Sequence, residues 1–287
     1  MSVLKHYWSL VKPGILFGNL LTAASGFALA SRGSPHFFLL GAMLLGIGTV
    51  VAGACVFNNY LDRHADAKMT RTQHRALVLQ TVSGAGALLL GFTLSLFGVA
   101  LLLLLVNTTT AVIASLGLLI YVGVYSPLKY RSAYATLVGS FSGSVPPLVG
   151  YCAATALDAG GVLLFLAVML WQMPHFFAIS LYRLPEYAEA GIPVWPIIHG
   201  ISSTKYQSLF YLIAFLIPIF MLPALGYAGP LYTMVMVLAV AFWLWIALKG
   251  FHSSSAAIWG KRVFLSSLVV VTLMSLALFL DPLSRSL

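Results

Sequence analysis

Four of the six acidic residues of this chain fall in two pairs, each expected at the end of an apolar helix. The first pair belongs to the run Asn58-Asn59-Tyr60-Leu61-Asp62-Arg63-His64-Ala65-Asp66. If the preceding apolar helix continues through it, Asn58, Asp62 and Asp66 are four apart and share one face. An amide oxygen and two carboxylates on one stripe suit Mg²⁺, which takes one or two carboxylates and leaves positions for water and substrate phosphates. Arg63, Lys68, Arg71 and Arg75 follow at once, and guanidinium forks match phosphate oxygens. Metal-binding carboxylates beside arginines make the chemistry of a diphosphate site. The plain alternative is a set of snorkelling interfacial charges with ordinary i,i+4 pairs. The carboxylate spacing favours the site, and carboxylates at a helix end are expected to add little to folding.

The second pair, Glu186 and Glu189, follows Trp171-Gln172-Met173-Pro174-His175-Phe176-Phe177 and Arg183. Pro174 in an apolar helix frees a carbonyl and predicts a kink. Gln172 and His175 beside it would be costly facing lipid, so they face a cavity or a neighbouring helix. Glu186 and Glu189 could form a second metal or diphosphate wall, or a solvated loop. A third basic element, Tyr125-Ser126-Pro127-Leu128-Lys129-Tyr130-Arg131, needs no more explanation than an interfacial loop when taken alone. The remaining acids, Asp158 and Asp281, are expected to be ordinary solvated positions at a turn and a helix end.

Composition decides what positions these residues. Of 287 residues, 61% are hydrophobic and 7% charged, against roughly 25% charged in a soluble domain. Mean hydropathy is +0.99. The chain cannot cover a water-facing surface, so it is an all-α polytopic membrane protein. Soluble enzymes, secreted disulfide scaffolds and nucleic-acid binders are excluded, and the net charge of +9 reads through topology instead. Nine spans are expected, near 14–31, 37–58, 83–105, 108–126, 135–155, 161–181, 207–224, 229–249 and 263–280. A single helix over 76–126 would reach roughly 76 Å against a hydrocarbon core of about 30 Å, so the chain must turn at Asn107-Thr108-Thr109-Thr110. Thirteen basic residues gather on one side, against Arg32 and Arg285 on the other. This excess predicts a cytoplasmic N-terminus and, with nine spans, a C-terminus outside.

Lys5, Lys12 and the following apolar run ending in Ala28-Leu29-Ala30 imitate a secretory signal. Pro13-Gly14, Asn19 and the length of the run favour a retained first helix. Cys55 and Cys152 lack a CxxC spacing and read as packed thiols. No low-complexity tract or long soluble insert is present, so residues 1–287 read as one transmembrane domain.

At these motifs the chain resembles the UbiA superfamily of intramembrane prenyltransferases, and within it the haem-farnesylating branch. The superfamily pattern N-D-x-x-D-x-x-x-D reads here Asn58-Asn59-x-x-Asp62-x-x-x-Asp66, with Asn59 in place of an acid. Lys12-Pro13-Gly14-Ile15, Tyr125-Ser126-Pro127-Leu128-Lys129, Ser140 to Tyr151 and Trp171-Gln172-Met173-Pro174-His175 extend the likeness over most of the chain. The second superfamily motif, D-x-x-x-D, is reduced to Glu186-x-x-Glu189. The resemblance implies nine helices around a central cavity opening towards the membrane, with both polar motifs capping it from the cytoplasm. It implies transfer of farnesyl from farnesyl diphosphate to haem B, with water, giving haem O for haem–copper oxidases. Mg²⁺ would sit on Asn58, Asp62 and Asp66, with Arg71, Arg75 and Lys129 sharing the diphosphate charge. Arg131, Gln172, Arg183 and Glu186 join the expected substrate-binding set, and His175 either ligates haem iron or orients the porphyrin. A bacterial inner membrane is the implied location, with haem A synthase or a terminal oxidase as partner. A quinone-type aromatic acceptor and a secondary transporter are the alternatives.

Overall fold

A computed structural model describes residues 3–252 and 255–281, with side chains from Lys5 onward. Arg285 and the C-terminal end, on which part of the predicted orientation rests, lie outside the described residues. The chain runs α1 (Val3–Leu10), α2 (Pro13–Ser31), α3 (Phe37–Asp66), α4 (Gly84–Leu105) and α5 (Thr108–Leu119). A π-helical turn at Ile120–Tyr125 leads into α6 (Ser126–Leu128), followed by α7 (Ala135–Gly143) and α8 (Val145–Ala154). Then come α9 (Ala159–Tyr182), α10 (Leu184–Glu189), α11 (Trp195–Ala224), α12 (Pro230–Lys249) and α13 (Ala256–Leu280). Helices are the only regular secondary structure among the described residues, as hydrocarbon requires of spans that must satisfy their backbone internally.

Eight helices among the described residues are long and apolar enough to cross a membrane. The fifth expected span, 135–155, is present as two halves, α7 and α8, broken at Ser144. Counting the pair, the predicted order of nine holds. Several boundaries differ. The second span continues past residue 58 to Asp66, the seventh starts at Trp195, and the ninth starts at Ala256. Hydropathy marks only the lipid-facing stretch, while helices keep their backbone hydrogen bonds into the polar interface. The seventh span carries one interruption, at Gly200 with φ +83°, a conformation that favours glycine.

The predicted turn at Asn107 is real, and its chemistry is a cap. Asn107 has an extended backbone and its side chain accepts from Thr110 N–H at 2.8 Å. Its amide donates to the Cys152 carbonyl at 2.9 Å, tying the turn to the end of α8. Ser83, Asp158 and Ser255 cap α4, α9 and α13 in the same way. Asp158 is exposed, as expected, and also accepts from the Tyr151 hydroxyl. Asp281 departs from expectation. It is buried and accepts from the backbone N–H groups of Gly229 and Tyr232, so it caps α12.

Helix packing in lipid gains nothing from excluding water, so close backbone approach matters more. At the α2–α8 crossing a Cβ on Gly150 would lie 1.8 Å from the Ala23 carbonyl oxygen. One on Gly26 would lie 2.0 Å from the Pro147 oxygen. The stretch resembling a secretory signal is therefore locked into the bundle as α2. Cys55 and Cys152 are free and buried. One apolar cluster joins α9, α11, α12 and α13, and another joins α2 to α5 with α8. Between them lies the site.

Candidate active site

A cavity of about 850 Å³ runs between the two clusters. Its polar end is lined by Lys12, Asn58, Asp62, Asp66, Arg71, Arg75, Lys129 and Tyr130. Apolar walls from α2, α3, α5 and α13 continue it to Trp171, Gln172 and His175. One pocket therefore brings the first acidic motif, the basic loop near 129 and the Pro174 region together.

The stripe on α3 exists because the helix continues to Asp66. Asn58, Asp62 and Asp66 follow at successive turns and are all buried, with 4%, 7% and 5% exposure. This corrects the expectation of near-surface carboxylates: polar groups buried this far need partners. Each has one. Lys12 Nζ donates to Asn58 Oδ1, Lys129 Nζ pairs with Asp62 Oδ2, and Arg75 Nη1 lies 2.6 Å from Asp66 Oδ2. The Tyr130 hydroxyl donates to the second oxygen of Asp62 at 2.8 Å. Three cations from three parts of the chain thus face two carboxylates and an amide, leaving this end net positive. Burial, and then the Arg75 charge, push the Lys12 ammonium down to about 8. Burial, and then Asp62, hold the Tyr130 phenol well above its ordinary value, so it remains a donor.

The loop after α3 is folded under the bundle. Thr72 Oγ1 donates to the Asp66 carbonyl, while Ala76, Leu77 and Val82 pack with Leu10 and Val11 of the N-terminal segment. That packing aims Arg75 inward. Asn59, the position where the superfamily pattern has an acid, turns away from the stripe: its amide donates to the carbonyls of Leu10 (2.7 Å) and Cys55 (3.1 Å). Its work is to dock α1.

Arg71 Nε lies 3.8 Å from Glu186 Oε2, so both acidic motifs meet at one end of the bundle. Glu186 also accepts from Arg183 at 2.9 Å. Neither Arg183 nor Glu186 lines the cavity, and Glu189 and Arg131 are exposed. Gln172 lines the cavity, but its amide nitrogen is spent on the break between α7 and α8. It lies within 3.3 Å of the Ser140 carbonyl, the Ser144 hydroxyl and the Val168 carbonyl. α9 runs through Pro174 without interruption. His175 Nδ1 lies 2.7 Å from Ser267 Oγ.

Lys12 and Tyr130 line the same polar end and bond to the α3 stripe, though their sequence positions alone did not single them out as candidates. Lys12 looked like any basic residue ahead of a first span; its neighbours Pro13-Gly14-Ile15 were the available signal. Among the described residues no three His, Cys, Asp or Glu side chains form a metal cage. Two carboxylates and an amide oxygen are instead a sparse set of hard donors that could hold a Mg²⁺ sharing its shell with phosphate.

Comparison with known proteins agrees with this geometry. Residues 19–268 match the UbiA prenyltransferase family. The chain is 42% identical over 281 residues to a protoheme IX farnesyltransferase of Edwardsiella ictaluri, covering 97% of this chain and 95% of that one. It is likewise 42% identical to the Serratia proteamaculans protein of that name, over the same shares. Among solved structures, a digeranylgeranylglyceryl phosphate synthase superposes with a TM-score of 0.80 at 16% identity, covering 97% and 99% of the two chains. A UbiA homologue from Archaeoglobus fulgidus, bound to GPP and Mg²⁺, superposes with a TM-score of 0.68 at 13% identity, covering 96% and 99%. With a stripe of oxygen donors, a ring of cations and this likeness over nearly its whole length, the chain belongs to the UbiA prenyltransferase family.

Proposed function

We propose that this multi-pass membrane protein transfers farnesyl from farnesyl diphosphate to a vinyl group of haem B, with addition of water, releasing diphosphate and haem O. The observation that carries the reading is one cavity with a cation-ringed carboxylate stripe at one end and apolar walls leading to His175. The identity to protoheme IX farnesyltransferases supports the choice of substrates.

Asn58, Asp62 and Asp66 fit Mg²⁺ by their hard oxygen donors, and the ion would supply charge neutralisation for the leaving diphosphate. The basic residues do the rest. As the allylic C–O bond ionises, negative charge gathers on the diphosphate. Lys12, Arg75 and Lys129, each paired with an oxygen of α3, and Arg71, paired with Glu186, stand ready to donate to those oxygens. Tyr130, kept protonated, is a further donor. The apolar walls exclude bulk water, so the farnesyl cation meets the vinyl group before a hydroxide or water quenches it. Water then captures the cation formed beside the porphyrin, and the hydroxyl is left after loss of a proton.

The Arg71–Glu186 pair supports placing both motifs in the same compartment. Diphosphate cannot cross hydrocarbon unaided, so that compartment is the cytoplasm. The N-terminus is then cytoplasmic and the C-terminus periplasmic, in a bacterial inner membrane, with the chain acting as one domain over 1–287. A terminal oxidase, or haem A synthase, receives the product. A transporter would gather its charges near the bilayer midplane, whereas these lie at helix ends.

The test is incubation of the purified protein with haem B, farnesyl diphosphate and Mg²⁺, followed by mass analysis for the hydroxyethylfarnesyl haem. No product, or transfer only to a quinone-type acceptor, would overturn the reading.

A further inference from the structure

Deep in the cavity, one residue of α13 holds two neighbouring rings of α9. Trp171 and His175 are four apart on α9, and Trp171 Nε1 donates to the Ser267 carbonyl at 2.8 Å. His175 Nδ1 lies 2.7 Å from the Ser267 hydroxyl. That hydroxyl has a single hydrogen, and it lies 2.6 Å from the Phe264 carbonyl, to which it donates. The Ser267 oxygen therefore receives the Nδ1–H of His175, which leaves Nε2 deprotonated in the neutral ring. Nε2 has no hydrogen-bond partner among the described residues, and His175 lines the cavity. The ring is also clamped between Trp171 and Phe264, at centroid distances of 4.9 and 4.8 Å. Ser267 is fully buried.

A neutral imidazole that lines a cavity, with its Nδ1–H held by an oxygen and its Nε2 without a hydrogen-bond partner among the described residues, has the arrangement of a metal-ligating histidine. We propose that Ser267 is a positioning residue that fixes the tautomer and ring angle of His175, and that Nε2 ligates the iron of the haem substrate. The inference rests on the haem-farnesylation reading and deepens it. Ligation donates a lone pair to iron, displaces a weak axial ligand such as water, and moves no electron between oxidation states. It would fix the porphyrin in height and tilt, leaving the vinyl edge to be set by the walls. No such role is needed for folding, because Trp171 already ties α9 to α13 through the Ser267 backbone, whatever the side chain there.

The experiment uses the full chain in detergent with haem B alone. Resonance Raman spectra of the ferrous complex are compared for the unaltered protein, His175→Ala, His175→Gly with added imidazole, Ser267→Ala and Ser267→Thr. Expected are an iron–histidine stretch in the unaltered protein, its loss in His175→Ala and its return with imidazole in His175→Gly. Ser267→Ala should shift that band, and Ser267→Thr, which keeps the hydroxyl, should restore it. Haem bound without a histidine band in the unaltered protein, or a band that survives His175→Ala, overturns the ligation while leaving the functional reading intact. A Ser267→Ala band at the original position removes Ser267 from the proposal. Absence of any haem binding by the unaltered protein overturns the functional reading itself, and the ligation with it.

Discussion

Lys12 and Asn58, 46 residues apart in the chain, are joined by a hydrogen bond from the ammonium to the amide oxygen at the mouth of the polar end. The bond ties the segment before α2 to the first member of the α3 stripe. It gives a cation that looked incidental a place in the polar lining of the cavity.

Lys12→Met keeps the length of the side chain and removes its charge. A hydrogen bond to a charged group is worth roughly 1.5–3 kcal/mol, so affinity for farnesyl diphosphate should fall about 10- to 100-fold while haem affinity holds. Titrations with each ligand separately make the check. Equal loss of both would mean that Lys12 serves the fold.

Asp62→Asn and Asp66→Asn should each reduce turnover by about 10²- to 10³-fold, the scale for removing one preorganised charge partner. Both carboxylates are buried and paired, so each variant also leaves a cation uncompensated. Breaking such a pair costs about 3 kcal/mol, and the melting temperature should drop. Turnover near that of the unaltered protein, at saturating Mg²⁺, would rule out the stripe as the metal site.

Arg71→Ala should weaken farnesyl diphosphate binding and spare haem. Glu186→Gln tests the opposite partner. Because Arg71 is about half exposed and Arg183, the other partner of Glu186, about a third exposed, each ion pair contributes under about 1 kcal/mol after solvent screening. Thermal melts of Glu186→Gln should therefore stay close to the unaltered protein; a large drop would show that Glu186 anchors the helix junction instead.

Gly150→Ala should abolish folded protein, since the added carbon meets the Ala23 carbonyl oxygen at 1.8 Å, and helix backbones cannot yield as a side-chain tip does. Gly41→Ala is the control, with nothing within 4 Å. Detergent-extracted yield and monodispersity decide it. Equal behaviour of the two variants would mean that the α2–α8 crossing is looser than described.

Topology can be read by labelling introduced cysteines. Lys68→Cys and Ala188→Cys should react from the cytoplasmic face and Thr108→Cys from the other. Labelling of positions 68 and 188 from opposite faces would contradict the single polar end.

Periodicity and charge spacing made most of the bundle legible. The stripe, the same-side placement of the motifs and the turn at Asn107 all follow from helical geometry and hydropathy. Three things did not. The break at Ser144 lies in Ser140-Phe141-Ser142-Gly143-Ser144-Val145-Pro146-Pro147, whose serines, glycine and prolines are breaker signals that reading 135–155 as one span passed over. The Gln172 amide shows how the break is tolerated. Asn59 looked like a lost ligand, whereas its role depends on α1, too short to register as a span. Lys12 and Tyr130 could be placed only once the helices that bring them to α3 were in position, because their partners are 46 and 68 residues away.

The π-helical turn at Ile120–Tyr125 sets the azimuth of everything after it. A π turn inserts an extra residue into an α-helix, and at 3.6 residues per turn one residue is worth about 100° of rotation. Ser126 N–H reaches back to the Tyr121 carbonyl across this widened turn, and Lys129 and Tyr130 emerge on the side that meets Asp62. Deleting one residue within 120–125 would let the helix close to ordinary pitch, with every span still crossing. The Lys129 ammonium would then swing by about a quarter of a circle from its carboxylate. A single-codon deletion there would leave a bundle that inserts normally and has lost its phasing.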